Sequence, residues 1–204
     1  MIGAKNVAKY STALTGEPFL FNETRTIARF LVAGESVETL RKRNQTENLV
    51  MHKKIGSLKR TSSPIFRRLS IMSPSAQQVL AEGDLETAKL LLLIAVAKTD
   101  RLIRDFLVNV YADKLAIKTD KLQKSDVEKY FESVYEIEPS LRDRSEQTKA
   151  KLKQQLMKIV AEAGLVQRHG VNFLITRPNL SNKLMNQLVA DGDTDYIKVL
   201  GGYE

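Results

Sequence analysis

The chain of 204 residues has no cysteine. That removes disulfides, thiolate nucleophiles and zinc–thiolate sites together, and leaves the redox compartment open. Histidine is almost as scarce, with only His52 and His169. The first lies in a basic stretch and the second in an expected turn, so neither is placed as a buried general base. There is no glycine-rich phosphate loop, no dinucleotide fingerprint and no HExxH. Asp191-Gly192-Asp193 has the composition of a calcium loop but lacks the later ligands and the closing Glu, so it reads as a turn. Glu128, Glu132, Glu136 and Glu138 fall on the outer face of an expected helix, where acids without an accompanying His or nucleophile are a solvated surface. No catalytic centre, cofactor, metal site or small-molecule substrate is expected, and the protein reads as non-enzymatic. Aromatic residues are 6% of the chain and mostly at core-like positions, which disfavours a base-stacking single-strand platform against duplex binding. No apolar run approaches the roughly 20 residues of a membrane span. The N-terminal residues lack a secretory pattern, so a cytoplasmic location is expected.

What the chain does have is one short, wholly apolar run. Leu90 to Ala97 carries no polar side chain, and a helix apolar all round must be covered on every side. Gly83-Asp84 supplies a stop and an N-cap before it, and Lys98-Thr99-Asp100 a break and a second cap after it. Leu102, Ile103, Phe106, Leu107 and Val110 continue at helical spacing. The fold class expected is mainly α: a helical bundle around this central helix. A helix-turn-helix-like N-terminal part over residues 1–75 and a winged-helix-like C-terminal part within residues 76–204 would flank it, or pack with it as one globular unit.

In the N-terminal part, Asn22 is a plausible cap for a helix with Thr26, Ile27, Phe30 and Leu31 inward, ending at Gly34. Ser36 caps a second helix through Leu40. A third is expected from Asn48 or Leu49 through Leu58, broken at Thr61-Ser62-Ser63-Pro64, with a short helix from Pro64 through Leu69 and Ile71. Charge concentrates here. Residues 41–70 hold nine basic side chains (Arg41, Lys42, Arg43, Lys53, Lys54, Lys59, Arg60, Arg67 and Arg68) against one acid, Glu47; that excess of eight equals the net +8 of the whole chain. A solvated face usually interleaves opposite charges; an uninterrupted basic stretch with Ser57, Thr61, Ser62 and Ser63 among the cations fits phosphates.

In the C-terminal part, Ser125 or Asp126 caps a helix with Val127, Tyr130, Phe131 and Val134 inward, closed by Pro139. Ser145 alone, or Asp143 with Glu146, caps the next. It turns Leu152, Leu156, Ile159, Val160 and Ala163 inward and is read as showing Lys149 and Lys153 outward, with Lys151 and Lys158 to the sides. After Gly164, a hairpin turning at Arg168-His169-Gly170 gives the order of a winged helix, whose third helix enters the major groove. A short helix capped by Ser181 carries Leu184, Leu188 and Val189, and residues 196–200 are a small strand or a docking segment. The expected duplex-DNA contacts are Arg41, Lys53, Lys54, Lys59, Arg60, Arg67, Arg68, Lys149, Lys151, Lys153 and Arg168. No base-reading set of Asn, Gln and Arg stands out, so weak sequence preference is expected. The alternative is a protein–protein adaptor, or an RNA-binding helical factor.

Four stretches in order, TALTGEPFLFNET (12–24), EGDLETAKLLLLIAVAKTDRLIRDFL (82–107), TKAKLKQQLMKIVAEAGLV (148–166) and ITRPNLS (175–181), resemble the BrxA family of bacteriophage-exclusion (BREX) systems. The resemblance implies a small, largely helical cytoplasmic protein that binds double-stranded DNA. It also implies a role in phage defence beside other BREX proteins, without known catalytic activity. It carries no site motif to particular residues.

Overall fold

A computed structural model describes residues 9–51 and 55–202. After a short 3-10 turn (Ala13–Gly16) come helices α1 (Phe21–Val32), α2 (Val37–Glu47), α3 (Ile55–Ser70) and α4 (Pro74–Glu82); α3 and α4 pack on α5 (Leu85–Thr99), and α1 and α2 pack outside them. Local chemistry sets most of these ends. Ser36, Ser73 and Asp84 each accept a hydrogen bond from the backbone N–H three residues on, the last at 2.8 Å, as N-caps do. Gly34, at φ +95°, ends α1 in the left-handed conformation that glycine tolerates. The start of α1 departs from expectation: Leu20 at φ 56° precedes the helix, and Asn22 lies inside it without capping.

The break expected at Pro64 is absent. Helix α3 runs through it because Leu58, Ile65, Phe66 and Leu69, each at most 2% exposed, are buried against α1, α2 and α5. That burial outweighs the cost of about 3 kcal/mol for an interior proline. Within the same interface Asn44 donates to Ser62 at 2.7 Å and accepts from the Val50 N–H at 3.3 Å. The third helix also starts later than expected: Asn48 and Met51 both have φ 52°, a conformation no helix sustains.

Helix α5 is the axis of the molecule. Leu90 to Ala97 are each no more than 3% exposed. Asp100 caps the next helix, accepting from the Ile103 N–H at 3.2 Å. That helix, α6 (Arg101–Phe106), passes through a π-type turn (Leu107–Tyr111) into α7 (Ala112–Ala116). Then come β1 (Lys121–Leu122), α8 (Lys124–Ile137), α9 (Pro139–Arg142), α10 (Glu146–Glu162), β2 (Val166–His169) and β3 (Asn172–Ile175). The strands form an antiparallel sheet in the order β1-β3-β2, with Leu122 opposite Phe173 and His169 opposite Asn172. The hairpin therefore turns at Gly170-Val171, one residue later than expected, and Gly170 supplies the required positive φ of 62°. Strand β1 was not visible as a strand in the sequence. Its pairing, with the Tyr111 hydroxyl donating to the Thr176 carbonyl at 2.8 Å, ties the hairpin to the rod formed by α6 and α7.

The C-terminal residues close the core. Helix α11 (Asn182–Ala190), capped by Ser181, buries Leu184 and Leu188 and leaves Val189 59% exposed, against expectation. Residues 196–200 are not a strand. Helix α12 (Asp195–Val199) docks Tyr196, Val199 and Leu200 into the interior. One cluster of buried apolar side chains extends from Tyr10 to Leu200, so the two halves of the chain share a core.

Candidate nucleic-acid interface

Within the basic N-terminal stretch, four of the described cations are paired or buried. Arg43 is clamped between Glu35 and Glu47, at 2.6 and 2.9 Å, and the bond from Arg43 holds the Glu47 carboxyl below its usual range. Lys42 pairs with Glu38 at 3.0 Å, and Arg67 with Glu17. Arg68 is not a surface residue at all. It is 1% exposed, and its guanidinium donates to the Pro18 and Phe19 carbonyls at 2.9 and 2.8 Å. Burial pushes its pKa down to about 10, against the pull of nearby Glu17. Its role is to fasten the segment before α1 onto α3, which takes it out of any contact with phosphate. Arg41 lies exposed over the Phe66 ring, 4.6 Å from the centroid, and Arg60 is exposed with no ion pair among the described residues. Lys53 and Lys54 lie outside the described residues, and the side chain of Lys59 likewise.

Helix α10 presents a different surface from the one expected. Leu152, Leu156, Ile159 and Val160 are buried, and Met157 joins them. At 100° per residue that stripe puts Lys149 and Lys153 on its own flank rather than opposite it. The structure agrees. Lys149 pairs with Glu146 at 2.7 Å and sits over the Tyr135 ring, with its side chain only 17% exposed. Lys153 pairs with Glu128 of α8 and sits over Phe131. The face opposite the core carries Gln147, Lys151, Gln154 and Lys158, all exposed. This i, i+4, i+7, i+11 series is the complement of the apolar stripe in the sequence itself; of its members the expected contacts include only Lys151.

Beside this face, α8, α10 and the hairpin enclose a groove. Val127, Met157 and Phe173 form its floor, and Lys124, Gln154, Lys158 and Arg168 stand on its rim. Lys124, Lys151 and Arg168 are exposed and have no ion pair among the described residues; Lys158 approaches Glu162 only at 3.6 Å. The Arg168 guanidinium folds toward the turn, donating to the Gly170 carbonyl at 3.3 Å, and Val171 at the tip is 75% exposed. Lys124, Gln147, Gln154 and Lys158 are thus the surface residues that the sequence-based set lacked. Glu128 and Lys153 also line the groove, and the described residues contain no grouping of His, Asp and Glu able to hold a metal ion. No helix among them is long and apolar enough to cross a membrane.

Known proteins of the same build bear on this arrangement. The BREX protein BrxA of Bacillus cereus is 26% identical over 193 residues, covering 95% of this chain and 96% of that protein. The BREX protein BrxA of Escherichia coli is 26% identical, covering 97% and 92%. The crystal structure of an uncharacterized protein from Magnetospirillum magneticum matches with a TM-score of 0.79 over 95% of this chain and 98% of that one, at 23% identity, which speaks to the fold. A family model described as BrxA matches residues 8–192, nearly the whole sequence, and the chain belongs to the BrxA family.

Proposed function

We propose that this protein is a non-enzymatic, double-stranded DNA-binding component of a BREX-type bacteriophage defence system, working in the cytoplasm beside other BREX proteins. The observation that carries the reading is the open α10 face with exposed Lys151, beside a groove whose rim carries the unpaired cations Lys124 and Arg168 next to a β-hairpin. The order helix (α6 to α7), β1, α8, the short α9, α10, hairpin, with β1 on the β3 edge, supports reading this part as a winged helix. In such modules the last helix enters the major groove and the hairpin follows the backbone. Membership of a family whose relatives are named BREX proteins supports the defence role.

Binding through phosphates makes affinity fall with salt, by about 0.9 in log–log slope per phosphate neutralised. Fluorescence anisotropy of a labelled duplex of about 20 base pairs, long enough for two turns, tests this over a series of salt concentrations. A slope of several, reduced by replacing Lys124, Lys151 and Arg168 with alanine, is expected. A duplex that stays free even at low salt overturns the reading in favour of an adaptor that meets proteins only.

A further inference from the structure

We propose that α10 reads base sequence: Gln147 and Gln154 select adenine at two positions about three base pairs apart, so binding is sequence-preferring rather than governed by charge alone. The inference rests on the DNA-binding reading above and departs from the weak preference that composition implies.

Three observations converge on it. First, the two amides share the exposed stripe with Lys151 and Lys158, directly opposite the buried leucines, so they are the side chains a groove floor meets. Second, neither amide has a hydrogen-bond partner among the described residues, although the same helix fills its flanks with bonded polar groups: Glu146 with Lys149, and Lys153 with Glu128. Third, Gln154 stands on the rim of the groove that also holds Arg168 of the hairpin and Lys124 at the start of α8. Those cations would fix the register by holding backbone phosphates while the amides face inward.

The chemistry then selects the base. A glutamine amide has one acceptor and a two-hydrogen donor, and together they match the N6 donor and N7 acceptor of adenine in the major groove. Lysine offers donors only and suits the N7 and O6 of guanine or a phosphate. The spacing sets the distance between the two readings. Seven residues of helix rise about 10.5 Å, which spans about three base pairs at 3.4 Å each. Gln147 lies in the first turn of α10, the end that recognition helices direct at base edges.

The test is selection from a duplex library with a randomised centre, at a salt concentration where the wild-type protein still binds, followed by affinity measurements on the enriched sequence. Enrichment of A·T at two positions is expected, with Gln147→Ala and Gln154→Ala each flattening one of them. Each substitution should lower affinity for the enriched duplex by about ten-fold, the scale of one bidentate base contact, with a smaller loss on random duplex. Both residues are exposed, so the variants keep the wild-type fold, checked by circular dichroism. Duplex bound without enrichment, or enrichment that both variants reproduce, overturns the base-reading role and leaves the DNA-binding reading standing. No binding of any duplex overturns both.

Discussion

The N-terminal basic stretch and the α10 face exchange their importance between sequence and structure. Residues 41–70 carry an excess of eight positive charges, equal to the net charge of the chain, yet among the described side chains the fold pairs Lys42, Arg43 and Arg67 with acids and buries Arg68, leaving Arg41 and Arg60 exposed. Glu17, Glu35 and Glu38 lie outside the stretch and reach its arginines and lysine, and Arg68 disappears into the interior. Helix α10 carries a smaller excess, four lysines against two glutamates, and with Lys149, Lys153 and Lys158 each beside an acid it leaves Lys151 and its glutamines on the open face. Charge density along a chain thus predicts a surface only when the partners of each charge are known. What a polyanion meets is the exposed, unpaired cations of a segment rather than its formal charge.

The largest effect that would break this contrast is at Arg68. Arg68→Met removes the donors to the Pro18 and Phe19 carbonyls and is expected to cost about 3 kcal/mol of stability in chemical denaturation, since buried acceptors lose their partner. Duplex affinity per folded molecule should not change. A variant as stable as wild type but weak in DNA binding would return Arg68 to the surface set. Next comes the triple replacement of Lys124, Lys151 and Arg168 by alanine. It should lower the salt slope by two to three, at about 0.9 per phosphate, with melting temperature unchanged. Lys149→Ala with Lys153→Ala should change the slope by less than one contact, because both lysines are engaged by acids.

Asp100 sharpens the picture of a buried polar seam under the N-terminal region. It is 8% exposed, and burial raises its pKa to about 6 despite the backbone N–H groups it caps. Because the folded pKa exceeds the unfolded value of about 4, the folded state binds the proton more readily. This carboxylate's contribution to stability therefore falls as pH rises from about 4 to about 6, by on the order of 2 kcal/mol, and stays low above that. Asp100→Asn keeps the cap and should remove this component from a stability–pH profile measured between pH 4 and 7. The smallest effect expected is from Arg41→Ala. Loss of its stacking on Phe66 should cost about 1 kcal/mol of stability at most and alter the salt slope by no more than one phosphate.

Local devices were legible in the sequence, and non-local ones were not. The central helix followed from eight consecutive apolar residues, and the caps at Ser36, Asp84, Asp100, Ser145 and Ser181 each act within three residues of themselves. Pro64 misled because its local preference was overridden by partners on α1 and α5. Strand β1 is two residues long and finds its partner some fifty residues later, so neither alternation nor turn chemistry could announce it. For the candidate site the hairpin is legible in the sequence, but its turn comes one residue later than expected, so Arg168 lies in β2 opposite Phe173 rather than in the turn. The ion pairs of Glu17 with Arg67 and Glu128 with Lys153 depend on which helices touch, and so are not legible there. The outward stripe of α10 is a different matter, since the periodicity that defined its buried side also defined the face opposite.

The complete enclosure of α5 has a consequence for the making of the protein. Its coverings come from both directions along the chain: α3 and α4 are synthesised before it, α10 and α11 well after it. At a ribosomal rate of about 5–20 residues per second, the span of about ninety residues from the end of α5 to the end of α11 takes roughly 5 to 18 seconds to appear. Until α10 and then α11 emerge within that interval, one side of a rod of leucine, isoleucine and valine lacks native neighbours. The nascent chain is thus a natural client for holding chaperones, and separating the two halves genetically would yield fragments prone to aggregate rather than independent modules.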